Sequence, residues 1–335
     1  MSLNKFFYLI SALLIFFSAF IYLSPGFVSP DFIYPDRIDS LYVRFHSQQN
    51  FPDSLPDELT DIPVEHYNPA SLEVAYSEFN VTMRTGGQLR GWYVAAEDTP
   101  ANTILLIHDL NESKINYLDH IKQLRDRGFN LCVMDMRAHG NSDGMEFSPG
   151  EPVVEDIKLV MDTLLSLTGT HHLILMGKGI GAAIATQAAL FDGRCDVLIL
   201  ESPCINLSTY LDRYAFKKWS VLRAFWYPVF RRKVADLLQY PIRDLDLKEL
   251  TSHIKTPTLF IAVPDNEMVY TTEILSIYEA SAAPRKELFL VNQDGTPEIV
   301  SGGELYYNRI SEFINGAIPK KIKKTKYKKL AMYDQ

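Results

Sequence analysis

The residues that most often announce a chemistry are scarce in this 335-residue chain, and each shortage excludes something. There are only three cysteines, Cys132, Cys195 and Cys204. The last two bracket the apolar run DVLILESP, and an extended chain rising about 3.3 Å per residue holds its ends too far apart for a disulfide. A disulfide between these two is therefore not expected, and buried, unpaired thiols are the default reading. No Cys or His spacing suggests a metal site, and no cofactor is expected. The eight histidines stand at 46, 66, 108, 120, 139, 171, 172 and 253, so none follows His253. There is no internal repeat and no nucleic-acid motif, and a net charge of −8 argues against a polynucleotide partner.

Apolar residues, in contrast, are plentiful. At 47% hydrophobic and 12% aromatic the chain can bury a large core. One apolar stretch stands apart from that core: FFYLISALLIFFSAFIYL, residues 6–23, carries no charge and follows Lys5. Its length matches a bilayer crossing; a cleaved signal peptide is the rival reading, but no A-x-A-like cleavage site follows the run. Residues 1–24 thus read as a single-pass transmembrane anchor, with membrane lipid as a partner. By the positive-inside rule, Lys5 puts the N-terminus in the cytoplasm and the globular part outside it. Residues 25–69 hold seven of the 18 prolines and show little periodicity, as a spacer does. At the other end, residues 319–335 form a tail with seven lysines in KKIKKTKYKK. Residues 320–335 carry net charge +6, which leaves −14 on the rest of a chain whose total is −8. The tail is either a solvated segment or an adhesive for an anionic surface.

Between these ends, residues 70–318 alternate strand-like and helix-like patterns. Strands are predicted at 78–83, 89–96, 102–108, 130–136, 172–177, 196–202, 256–263 and 287–292. Amphipathic helical runs fall between most of them, and the first two strands have the spacing of a hairpin. The middle strands are continuously apolar, which requires cover on both faces. The fold class that follows is α/β, with a mostly parallel central sheet and helices on both faces.

Four motifs then occur in a telling order: LLIHDL at 105–110, MDMRAHGNSDG at 134–144, LILESP at 198–203 and TPTLFIAVPDNEMVY at 256–270. Together with LMGKGIGAA at 175–183, they resemble the α/β-hydrolase superfamily over roughly residues 75–316. Within it the chain is most similar to membrane-anchored, small-cap serine hydrolases related to esterases and serine aminopeptidases. The resemblance implies an α/β-hydrolase fold with a small helical cap at about 204–255.

It also implies where a catalytic triad would stand, and there this sequence departs from the pattern. In G-x-S-x-G the outer glycines let helix and strand backbones approach, while the central serine presents its oxygen from a strained turn. Gly177 and Gly181 keep the outer positions, but the nucleophile position is Gly179. Asp265 fits the acid. The histidine position falls in VNQDGTPEI, on Thr296. The two oxyanion donors would be the backbone N–H groups of Leu110 and Ile180, with Asp109 replacing the glycine that follows His108. A carboxylate there opposes developing negative charge unless it points away. Lys178 reads as a solvated side chain. Cys204 and Ser202 are the remaining nucleophiles near the cleft, and neither has a histidine partner in the pattern. The expectation is a membrane-tethered hydrolase-like protein that binds a small molecule or a protein without catalysis. The alternative is an active esterase, peptidase or thioesterase with a non-standard nucleophile or base.

Overall fold

The structure is a computed structural model, and it describes residues 8, 10–16, 18, 68–98, 101–110, 112–147, 149–167, 169–219, 227–228, 231–232, 234–236, 246–263, 268–291 and 303–318. Among the described residues, eight strands make one sheet: β1 (Ser77–Thr82), β2 (Gln88–Val94), β3 (Ala101–Ile107), β4 (Asn130–Met134), β5 (Thr170–Lys178), β6 (Val197–Glu201), β7 (Thr258–Ala262) and β8 (Lys286–Leu290). Their order is β1-β2-β4-β3-β5-β6-β7-β8. The β1–β2 hairpin is antiparallel and joins β4 antiparallel, whereas every pair from β4 through β8 is parallel.

Among the described residues, the helices that connect or follow these strands include α1 (Leu118–Asp126), α2 (Glu151–Ser166), α3 (Ile180–Asp192), α4 (Leu207–Trp219), α5 (Leu247–Thr251), α6 (Thr271–Ala280) and α7 (Glu304–Ala317). Strand periodicity sorts the core into two layers. On β5, Leu173 and Leu175 face one layer while Ile174 and Met176 face the other. The first layer packs against α2 and α3, through Val153, Ile157, Val160 and Met161 and the small residues Ala182, Ala183 and Ala185. The second packs against α1 and α7, through Leu118, Ile121, Leu124, Tyr307, Ile310 and Phe313. Both faces are thus covered, and β4, β6 and β7 are buried along their whole length. This is the α/β-hydrolase fold expected from the sequence. The three cysteines are buried and unpaired.

The membrane expectation is corrected. Among the described residues no helix is long and apolar enough to cross a membrane. The transmembrane anchor, and with it the assignment of a cytoplasmic N-terminus and an external globular domain, is withdrawn. Most of the proline-rich spacer, the middle of the cap and the lysine-rich tail lie outside the described residues.

Candidate functional site

The turn from β5 into α3 lies at the carboxyl end of the parallel strands, where an open α/β sheet has its binding crevice. Close backbone approach explains its outer glycines. A Cβ on Gly177 would stand 2.4 Å from the Gly181 carbonyl oxygen, and one on Gly181 would stand 2.3 Å from that of Ile107. Gly179 is different. It has φ 55° and ψ −116°, a conformation that side chains resist, and it is tied to the next strand by its N–H to Glu201 O at 3.0 Å.

What crowds Gly179 is a side chain from another loop. An ideal Cβ at this position would lie 2.1 Å from Asp109 Oδ2 and 2.2 Å from Asp109 Cγ. The Asp109 carboxylate occupies the volume that a side chain at 179 would need. Its other oxygen, Oδ1, accepts hydrogen bonds from Leu110 N and from Ile180 N, each at 2.8 Å. These are the two amides to which the sequence assigned the oxyanion donors. Asp109 therefore does not point away from them but is bound by both. Ile180 opens α3, so the helix dipole adds to the attraction.

His108 sets the direction of this loop. Its Nε2 accepts from Met136 N at 2.9 Å, so the ring proton is on Nδ1, which donates to Asp109 O at 2.7 Å. Burial holds the imidazole below its ordinary pKa, against the pull of the Asp135 charge. It is a neutral strut. Glu112 closes the loop behind Asp109: its Oε2 accepts from Asp109 N at 3.2 Å and from the Tyr117 hydroxyl at 3.1 Å, and its Oε1 pairs with Lys178 Nζ at 2.5 Å. The expectation that Lys178 is merely solvated fails, because its ammonium ties the elbow to the oxyanion loop. Beneath this group, the Tyr306 hydroxyl of α7 donates to Glu201 Oε2 at the end of β6.

Three carboxylates, Asp109, Glu112 and Glu201, thus surround one lysine, and the charges are shared unequally. Burial, then the charge of Glu112, pushes the Asp109 carboxyl up to about 7 against the two amides and Lys178. Burial is the largest influence on Glu112 as well and raises it, yet the Lys178 charge and hydrogen bond, joined by the Asp109 amide, together hold Glu112 below its ordinary range. Burial also opposes the Lys178 charge, but Glu112 and then Glu201 hold its pKa above the ordinary value.

Neither remaining nucleophile is activated. Burial, then the nearby Asp109 charge, raises the Cys204 thiol well above its ordinary pKa, so it is held as the unreactive thiol. Ser202 follows β6 at φ 41°, and its buried Oγ has no hydrogen-bond partner among the described residues. Asp265 and Thr296 lie outside the described residues. No group of three or more potential metal ligands occurs among the described residues.

The motif at 134–144 is structural. Asp135 is buried and accepts from Lys114 N and Asn141 N, both at 2.8 Å, while pairing with the Lys114 ammonium. Ser142 Oγ donates to Asp135 O at 2.6 Å and accepts from Arg90 N at 2.8 Å. Arg137 grips Asp156 of α2 with two bonds of 2.6 and 2.8 Å. Together these pin the turn after β4 to the β2 edge and to α2. Glu112, Tyr117 and Tyr306 were missed in the sequence. Only Glu112 left a local signal, an acidic side chain three residues after Asp109, where a turn can be closed by a bond back to the backbone.

The sheet order, the helices on both faces and the strand-turn-helix elbow define the α/β-hydrolase fold. Residues 98–246 match the family model described as serine aminopeptidase, S33. The chain is 25% identical over 246 residues to Uncharacterized protein YqkD of Bacillus subtilis (strain 168), covering 71% of this chain and 78% of that one. It is 26% identical over 194 residues to Protein ABHD12B of Homo sapiens, covering 56% of this chain and 52% of that protein. Among solved structures it is similar to the esterase Pf2001 of Pyrococcus furiosus, with a TM-score of 0.62 and 22% identity over 74% of this chain and 94% of that one.

Proposed function

We propose that this protein is a non-catalytic member of the α/β-hydrolase superfamily that acts by binding a small molecule or a protein. One observation carries the reading: the Asp109 carboxylate is bound to both oxyanion amides and fills the volume of the nucleophile side chain. Acyl transfer needs those donors aimed at a developing oxyanion, and here a carboxyl oxygen of the chain already holds them. Two features of the sequence support it further. Gly179 offers no nucleophile, and no histidine follows His253. In a serine hydrolase, losing either nucleophile or base lowers turnover on the order of a million-fold.

The test is direct. The full chain is incubated with a serine-directed phosphonate probe and with short-chain p-nitrophenyl esters and thioesters. The expected result is no covalent labelling and no hydrolysis above buffer. Robust turnover that disappears on changing Cys204 or Ser202 would overturn the proposal and establish a hydrolase with a non-standard nucleophile.

A further inference from the structure

The cap helix α4 sets an apolar face beside an ionisable group. Leu207, Tyr210, Leu211 and Ala215 are spaced as one stripe of that helix and are buried in the core layer that also holds Leu110 and Ile180. The chain comes to α4 past the elbow itself, where the Cys204 N–H meets Gly179 O at 3.5 Å. Asp109 lies close by: burial, then the Asp109 charge, raises both the Cys204 thiol and the Tyr210 hydroxyl. Both hydrogen bonds to the Asp109 carboxyl fall on Oδ1, and among the described residues Oδ2 accepts none. A second tether holds α4 from another side. Arg213 pairs with Glu273 of α6 through two bonds of 2.7 Å, donates to Met268 O at 2.8 Å and stacks 3.8 Å over the Tyr270 ring.

We propose that the Asp109 carboxyl is a pH-sensitive seat for the cap helix: when neutral it lets α4 pack beside the oxyanion loop, and when ionised it draws water to that contact and favours an open α4. The inference rests on the binding reading only in taking the cleft beside the elbow as the place a ligand enters. The physical cause is desolvation, since a charge against the apolar stripe of α4 is costly unless it is paired or hydrated. Within its own loop Asp109 faces neutral His108 and the charge of Glu112. Around it stand Tyr117, Lys178 and Glu201, with Cys204 and Tyr210 on the cap side. Lys178, the cation among these groups, is paired with Glu112 at 2.5 Å. The charge on Asp109 is therefore met mainly by water, which reaches the carboxyl when α4 lifts. With α4 seated, burial and the Glu112 charge push this carboxyl up to about 7, whereas a hydrated aspartate titrates at about 4. Opening thus releases a proton between these values. Seating is strongest at acid pH and is lost as the pH rises through 7.

Amide hydrogen exchange of the full-length wild type, followed from about pH 5 to about pH 9 and corrected for the intrinsic rate at each pH, reads the opening of α4. The α4 amides should exchange through a local opening that depends only weakly on urea. Its equilibrium constant should grow about tenfold per pH unit up to about pH 7 and level off above it, because one proton leaves on opening. Asp109→Asn keeps an acceptor for the two amides and removes the charge, so its profile should be flat. Arg213→Met removes the second tether, so α4 should open more at every pH with the slope unchanged. A flat wild-type profile, or a slope that survives Asp109→Asn, would overturn the proposal. So would α4 exchange with the same urea dependence as the β5 and β6 amides, since α4 would then open only with global unfolding. If either variant fails to fold, the wild-type profile and its urea dependence decide alone. Ester turnover by the wild type would remove the non-catalytic reading and leave the exchange profile standing, whereas a flat profile in an inert protein would remove the switch alone.

Discussion

Gly179→Ala is the smallest change that separates two reasons for a glycine in the elbow. The first is backbone strain: at φ 55° and ψ −116° a residue with a Cβ costs about 1–3 kcal/mol. The second is Asp109, whose Oδ2 lies 2.1 Å from the new Cβ and must leave. Leaving strips two amides of their acceptor, each at a cost of about 1–3 kcal/mol if nothing replaces it. Water will replace part of that, so a displacement cost of about 2 kcal/mol is expected, and about 3–5 kcal/mol in total. In an Asp109→Gly background only the strain remains. Urea unfolding of the wild type, both single variants and the double variant closes a double-mutant cycle, and the coupling energy should be about 2 kcal/mol. If Gly179→Ala costs the same with and without Asp109, the carboxylate does not hold the place assigned to it, and the account of the site fails with it.

Three further outcomes are expected. Asp109→Asn keeps the shape and removes the charge. A carboxyl raised to about 7 gives stability that is present at acid pH and lost as the pH rises through 7, so the variant should match the wild type near pH 4 and exceed it by on the order of 2–4 kcal/mol at pH 8, read by denaturant titration across that range. Lys178→Met leaves Glu112 without its cation. It should cost about 2–3 kcal/mol, and a carbon-13 NMR titration should find the Asp109 carboxyl moved further up, since Lys178 is one of the groups that lowers it. Tyr306→Phe removes the donor to buried Glu201 and should cost about 1–3 kcal/mol in thermal or urea unfolding. Unchanged stability would mean that water reaches Glu201.

The strands were legible because burial on both faces demands unbroken apolar runs, and the runs at 102–108, 130–136, 172–177 and 196–202 coincide closely with β3, β4, β5 and β6. The elbow was legible because close backbone contact admits only glycine at 177 and 181. Membrane spanning was misjudged from the same kind of signal. A count of apolar residues at 6–23 measures hydrophobicity, but a span also needs those residues in one sufficiently long helix, and among the described residues there is none. Lys178 was misjudged for a related reason. Its partner Glu112 lies 66 positions away, beyond the reach of any local pattern.

By itself the sequence determined the sheet, its layers and the absence of a hydroxyl at residue 179, because these depend on residue type and short-range periodicity. Tertiary structure alone decided what stands in that place. Asp109 and Ile180 are 71 residues apart in the chain, and only the parallel pairing of β3 with β5 brings their loops together at one end of the sheet. Whether a carboxylate beside an oxyanion site points away or binds its donors depends on a side-chain torsion and on two amides aimed at one point. That geometry is fixed by packing, and no spacing in the sequence records it.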